Sequence, residues 1–91
     1  MILPSLLFAS PAKADPVSNY TAIAAPAVCG TLDAYPTVAG VTGVLEGVVQ
    51  DSGFGYYDAG LVVADAVINE CPRHLPLLQK FVAVYGKGQA V

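Results

Sequence analysis

Val38, Val41, Val44, Leu45, Val48 and Val49 recur every three or four positions, while Glu46, Gln50 and Asp51 fall between them. That spacing returns the aliphatic groups to one face of a 3.6-residue repeat and predicts an amphipathic helix. Ahead of it Tyr20, Ile23, Ala24, Ala27, Val28, Leu32 and Tyr35 recur in the same way, which predicts a first helix with this set turned inward. Pro26 has two placements there: the first turn of a helix beginning near Ala25, or a kink in a longer helix beginning near Asn19. Pro36 restricts Tyr35, ends that helix and serves as the first residue of the next.

A third helix is expected to start at Tyr57 or Asp58 and end at Cys71, where Pro72 disfavours helical backbone. Leu61, Val62, Val63, Ala66, Val67 and Ile68 make it apolar on most sides, with Asp58, Asp65 and Asn69 opposite, so it takes the central place. Gly53 and Gly55 give the preceding turn its backbone freedom, and Phe54 and Tyr56 are expected to fold inward as a plug. A short last helix should begin near Pro76 and present Leu77, Leu78, Phe81, Val82 and Tyr85 before Gly86 and Gly88 stop it. Valine favours strands by intrinsic propensity, yet period-two alternation persists nowhere along the chain. The fold class expected is therefore all-α, a compact four-helix domain with antiparallel neighbours.

Composition sharpens this picture in two ways. The 91 residues are 55% hydrophobic and 12% charged, and their mean hydropathy of +0.59 is too apolar for a disordered chain. A domain this short buries only about 60 to 65% of its unfolded surface, so its core is marginal without reinforcement. The net charge of -3, with only four Lys or Arg, leaves no basic footprint for nucleic acid. Proline, glycine or aspartate interrupts every long apolar window, so no mature membrane span is expected.

The opening "MILPSLLFASPAKADP" carries an apolar run over residues 2–9, then Ala12 and Ala14 in the small-x-small pattern of a signal-peptide cleavage site. We expect a truncated signal peptide over residues 1–14 cleaved after Ala14, a helical domain over 15–86 and a disordered tail over 87–91. The destination is then the cell envelope or the extracellular space.

Export decides how the two cysteines are read. In an oxidising compartment Cys29 and Cys71 are expected to pair, and closing a loop of this length contributes about 4 kcal/mol in the chain-entropy treatment, the reinforcement that the small core lacks. Sharper readings of "ECPRHLPLL" (residues 70–78) fail on chemistry. A zinc site from Cys29, Cys71 and His74 falls short of the usual ligand set, since the chain holds one histidine, so no metal or cofactor is expected. A Cys71–His74 nucleophile would require a free thiolate, and a redox pair is normally spaced as C-x-x-C. Asp33 lies one turn after Cys29, while Arg73 and His74 follow Cys71, so the bridge should bring them together. The expected cluster pairs Asp33 with Arg73 and ties His74 to a backbone group.

"APAVCGTLDAYPTVAGV" (residues 25–41) followed by "YDAGLVVADAVINECPRHLPLL" (residues 57–78) resembles the DUF732 family, small exported proteins of mycobacteria and related actinobacteria, some carried by their phages. The elements shared are Val28-Cys29 with Leu32, an apolar helix, and Cys71-Pro72 with its following polar pair. The resemblance implies an all-helical, disulfide-linked envelope or secreted domain and no activity. With no catalytic constellation in the sequence, we expect a non-enzymatic interaction or structural module that engages a protein through an apolar patch drawn from Tyr20, Tyr56, Tyr57 or Tyr85. The alternative is a carrier of a lipid or other apolar ligand, held among helices rich in small residues.

Overall fold

The computed structural model describes residues 15–86 as four helices in sequence: α1 (Pro16–Ala34), α2 (Val38–Ser52), α3 (Tyr56–Glu70) and α4 (Leu75–Tyr85). A 3-10 turn, Pro72–His74, separates α3 from α4. The signal segment with its cleavage position after Ala14, and the tail with Gly88, lie outside the described residues. Among the described residues there is no strand, and no helix is long and apolar enough to cross a membrane.

α1 begins earlier than either placement of Pro26 allowed. Asp15 is its N-cap, accepting hydrogen bonds from the Val17 amide and the Ser18 hydroxyl, both at 3.1 Å, and Pro16 occupies the first turn, where its missing N–H costs nothing. The helix then runs through Pro26, which lies inside it and exposed. With Cys29 held inward by its bond to Cys71, the buried face is Thr21, Ala25, Val28, Cys29 and Leu32. Ile23, expected inside, stands two positions from both Thr21 and Ala25, about 200° round the helix, and is 80% exposed. Ala27 and Tyr35 are exposed as well. Thr21 can be buried because its hydroxyl donates to the Val17 carbonyl at 2.7 Å.

Two helices stop for one reason. Tyr35 and Cys71 are the C-caps of α1 and α3, both in non-helical backbone, and each precedes a proline whose ring excludes the helical conformation. Pro36 does not open α2, contrary to expectation. Thr37 does, as an N-cap in extended backbone that accepts from the Gly40 amide at 3.0 Å, which leaves Pro36 just outside the helix. α2 ends in the left-handed residue Gly53, φ 84°, a conformation costly to side chains other than glycine.

α1 packs most extensively on α3, and the two run the same way, with Tyr20 against Phe54 near their starts and Asp33 bonded to Arg73 near their ends. The core gathers Ala25, Val28, Leu32, Val41, Val44, Val48, Ala59, Val62, Val63, Ala66 and Val67 around the two cysteines, so α3 is central as expected. Phe54 packs inward, edge-on to Tyr20 with centroids 5.6 Å apart, but Tyr56 opens α3 and turns outward, 62% exposed. α4 starts at Leu75, because the 3-10 turn uses up the residues before it, and it buries no residue completely. Leu75, Leu77, Leu78 and Phe81 lean on the core; Val82 and Tyr85, expected inside, are 61% and 53% exposed.

Glycine positions in α2 separate packing from propensity. A Cβ on Gly40 would stand 2.0 Å from the Tyr35 carbonyl oxygen, whereas one on Gly43 or Gly47 would meet nothing within 4 Å. Gly43→Ala and Gly47→Ala should each raise unfolding free energy by about 0.5–1 kcal/mol, and Gly40→Ala should lower it, as read by urea titration.

Candidate functional site

The C-terminal ends of α1 and α3 meet in a covalent and polar node. Cys29 and Cys71, 42 positions apart in sequence, form a disulfide with Cα atoms 6.0 Å apart. Cys71 is wholly buried and Cys29 nearly so. The Cys29 sulfur also lies 3.8 Å from the Ala66 carbonyl oxygen, a packing contact, since a disulfide sulfur carries no proton to donate.

One turn beyond Cys29, Asp33 takes both basic groups that follow Cys71. Arg73 donates from Nη2 to both carboxylate oxygens at 2.8 Å and from Nε to Oδ1 at 3.1 Å. His74 places Nε2 at 2.7 Å from the same Oδ1 instead of bonding a backbone group. An ionised carboxylate has no proton to offer, so Nε2 carries the hydrogen. The 3-10 turn explains the convergence: the His74 amide returns to the Cys71 carbonyl at 2.9 Å, which tightens the chain and aims both side chains back toward α1. His74 is 8% exposed as a residue, while the Asp33 and Arg73 side chains stand half in solvent. The Arg73 guanidinium above all, and then His74, hold the Asp33 carboxyl below its ordinary range.

Chemically this node fixes geometry. Both sulfurs are joined, so neither is a thiolate, and among the described residues no group of three or more His, Cys, Asp or Glu side chains could hold a metal ion. His74 already spends Nε2 on Asp33, and no nucleophile lies among its hydrogen-bond partners.

Of the four tyrosines considered for a surface patch, Tyr20 is set apart. Its hydroxyl donates to Asp51 at 2.7 Å, tying α1 to the end of α2, and that bond to a carboxylate is the main reason its own ionisation moves up from pH 10.0. Tyr56, Tyr57 and Tyr85 do converge. With Leu45, Gly60 and Phe81 they line an open groove of about 560 Å³ where the start of α3 meets the end of α4. Phe81 and Tyr85 lie 4.8 Å apart between ring centroids, one turn apart on α4. A second groove of about 190 Å³ beneath α4 is floored by Val41, Leu45, Gly60 and Val63 and continues from the first. No charged side chain lines either groove. All three rim tyrosines were among the candidates for an exposed patch, but the sequence also offered Tyr56 as an inward plug and Tyr85 as part of the apolar face of α4, and only the fold turns both outward.

The chain matches no family model, no curated protein and no solved structure.

Breaking the disulfide in a Cys29→Ser/Cys71→Ser double variant should lower unfolding free energy by about 4 kcal/mol in urea titrations. Asp33 supplies a separate pH signature. Its folded-state pKa is depressed, so the unfolded chain binds its proton more readily. Its stabilisation is then fully present above the unfolded carboxyl value of about 3.9, and it is lost as pH falls through the lower folded value. Between about pH 6 and pH 2.5 the urea midpoint of Asp33→Asn should fall less than that of the wild type; an equal fall would remove the cluster's role in stability.

Proposed function

We propose that this chain is a non-enzymatic interaction module that works in the cell envelope or outside the cell, and that its working surface is the aromatic-rimmed groove between α3 and α4. The observation that carries this reading is the grouping of Tyr56, Tyr57 and Tyr85, exposed at 62, 80 and 53%, around a groove without charge. Tyrosine offers large contact area at low entropic cost together with a polar tip, which is why it anchors many protein interfaces. The buried disulfide supports an oxidising destination, and cleavage after Ala14 would leave Asp15 in place as the cap of α1. The resemblance to the DUF732 family, if it holds, implies the same exported destination and says nothing of the groove.

Carriage of a lipid or other apolar ligand is the second reading, favoured by the apolar space beneath α4. That space is about 190 Å³, below the roughly 300–1,000 Å³ of common small-molecule sites, and its larger neighbour is an open trough. A protein partner fits the open, aromatic rim better.

The groove reading is tested by immobilising the full chain and a Tyr56→Ser/Tyr85→Ser variant and comparing what each retains from envelope extract. The variant should keep the wild-type melting temperature, because both side chains are mostly exposed, and should lose about tenfold or more of the retained partner. Equal retention by both would refute it.

A further inference from the structure

Every covalent or polar fastening between the helices stops at His74. The disulfide ties α1 to α3, the Tyr20 hydroxyl ties α1 to the end of α2, and Asp33 holds Arg73 and His74. Among the described residues, no side-chain hydrogen bond or ion pair joins α4 to α1, α2 or α3. α4 rests on the others through apolar contact alone, and it buries none of its eleven residues completely.

That contact is loose. Besides the space of about 190 Å³ beneath it, α4 borders the groove of about 560 Å³ toward its end and another open one of about 360 Å³, edged by Ala64, Leu75, Leu78 and Gln79, toward its start. A close-packed interior leaves few voids larger than a water molecule.

The junction into α4 can bend. Pro72–His74 is a 3-10 turn, a common place for hinges, and the Leu75 amide closes it by bonding back to the Pro72 carbonyl. Pro76 follows, and without an N–H it cannot carry the hydrogen-bond ladder across the junction. A pivot here lies just past His74, so the bonds to Asp33 stay made while α4 moves.

From this arrangement we infer that α4 is a lid, which undocks from α2 and α3 as one unit about this junction while α1, α2 and α3 stay folded around the disulfide. Eleven residues are too few to hold a stable helix in water, so the released segment opens its hydrogen bonds together along its length. The face it uncovers includes Val41, Leu45, Gly60 and Val63, continuous with the aromatic groove, which then has a closed and an open state. Whatever binds the uncovered face better than the closed one holds the lid open. The lid goes beyond the groove reading and does not rest on it, since it follows from how α4 is attached.

Native-state hydrogen exchange on the full chain, with the disulfide intact, tests this. Amides from Gln79 to Ala83 should share one protection factor, about 100-fold or more below that of the slowest amides of α1 and α3. Val28→Ala supplies a second arm, because Val28 is buried between α1 and α2 and stays buried when α4 leaves. It should speed the slowest α1 and α3 amides about tenfold or more and leave the α4 amides unchanged. Amides of α4 as slow as those of α3, or speeding in proportion to them in Val28→Ala, would overturn the lid. So would protection that falls stepwise from Gln79 to Ala83, the pattern of an end fraying from the tail. The retention test with Tyr56 and Tyr85 stands whichever pattern is found, because it reads binding and not exchange.

Discussion

The bond between Cys29 and Cys71 joins α1 to α3 at the ends where each helix would otherwise fray, and the remaining packing is arranged around it. It fixes the phase of α1, because Cys29 must point at α3, and the face that includes Cys29 becomes the buried one. It also fixes where α3 stops, since Cys71 is the last residue before a proline. Asp33, Arg73 and His74 lie within a turn of the two sulfurs, and their hydrogen bonds hold the turn into α4 in a single orientation. Covalent and polar links act on the same few residues, so α4 leaves the node in a defined direction although it buries no side chain completely.

The core that this node closes is built from short side chains. Valine and alanine dominate it, with Leu32 among its largest members. Short side chains let α1 and α3 approach closely, and the cost is little apolar area per residue, which makes a cross-link more valuable than it would be in a larger domain. The same economy leaves larger groups outside: Tyr56, Tyr57, Leu61, Ile68, Val82 and Tyr85 stand on the α3 and α4 side. A helix that is apolar nearly all round, placed in a domain with too few partners to surround it, exposes whatever its neighbours cannot cover.

Much of this was legible without coordinates. The four helices, the central place of α3, the cysteine pairing and the nearness of Asp33 to Arg73 follow from spacing, proline positions and redox chemistry. The phase of α1 was not legible. Its apolar residues fit more than one face, and only the pairing of helix with helix excludes Ile23 from the core. The start of α2 was misassigned because Pro36 and Thr37 are both good opening residues; the hydroxyl of Thr37 reaches the Gly40 amide, and proline has no such group. His74 was expected beside Asp33, but its bond to the carboxylate in place of a backbone group was not legible, because a 3-10 turn sets consecutive side chains at angles that an α-helical wheel does not describe.

The sequence by itself determined the elements, since a repeat of apolar groups, a proline or a glycine acts over a few residues of chain. It made the covalent link foreseeable too, because a chain with two cysteines has one intramolecular pairing. Tertiary structure alone decided which of several apolar faces is covered. Burial depends on how many neighbours surround a helix and how near they come, and those distances are set by side chains remote in sequence. The aromatic groove belongs to this second class: its rim residues are apolar like the core, and only the placement of the other helices left them in solvent.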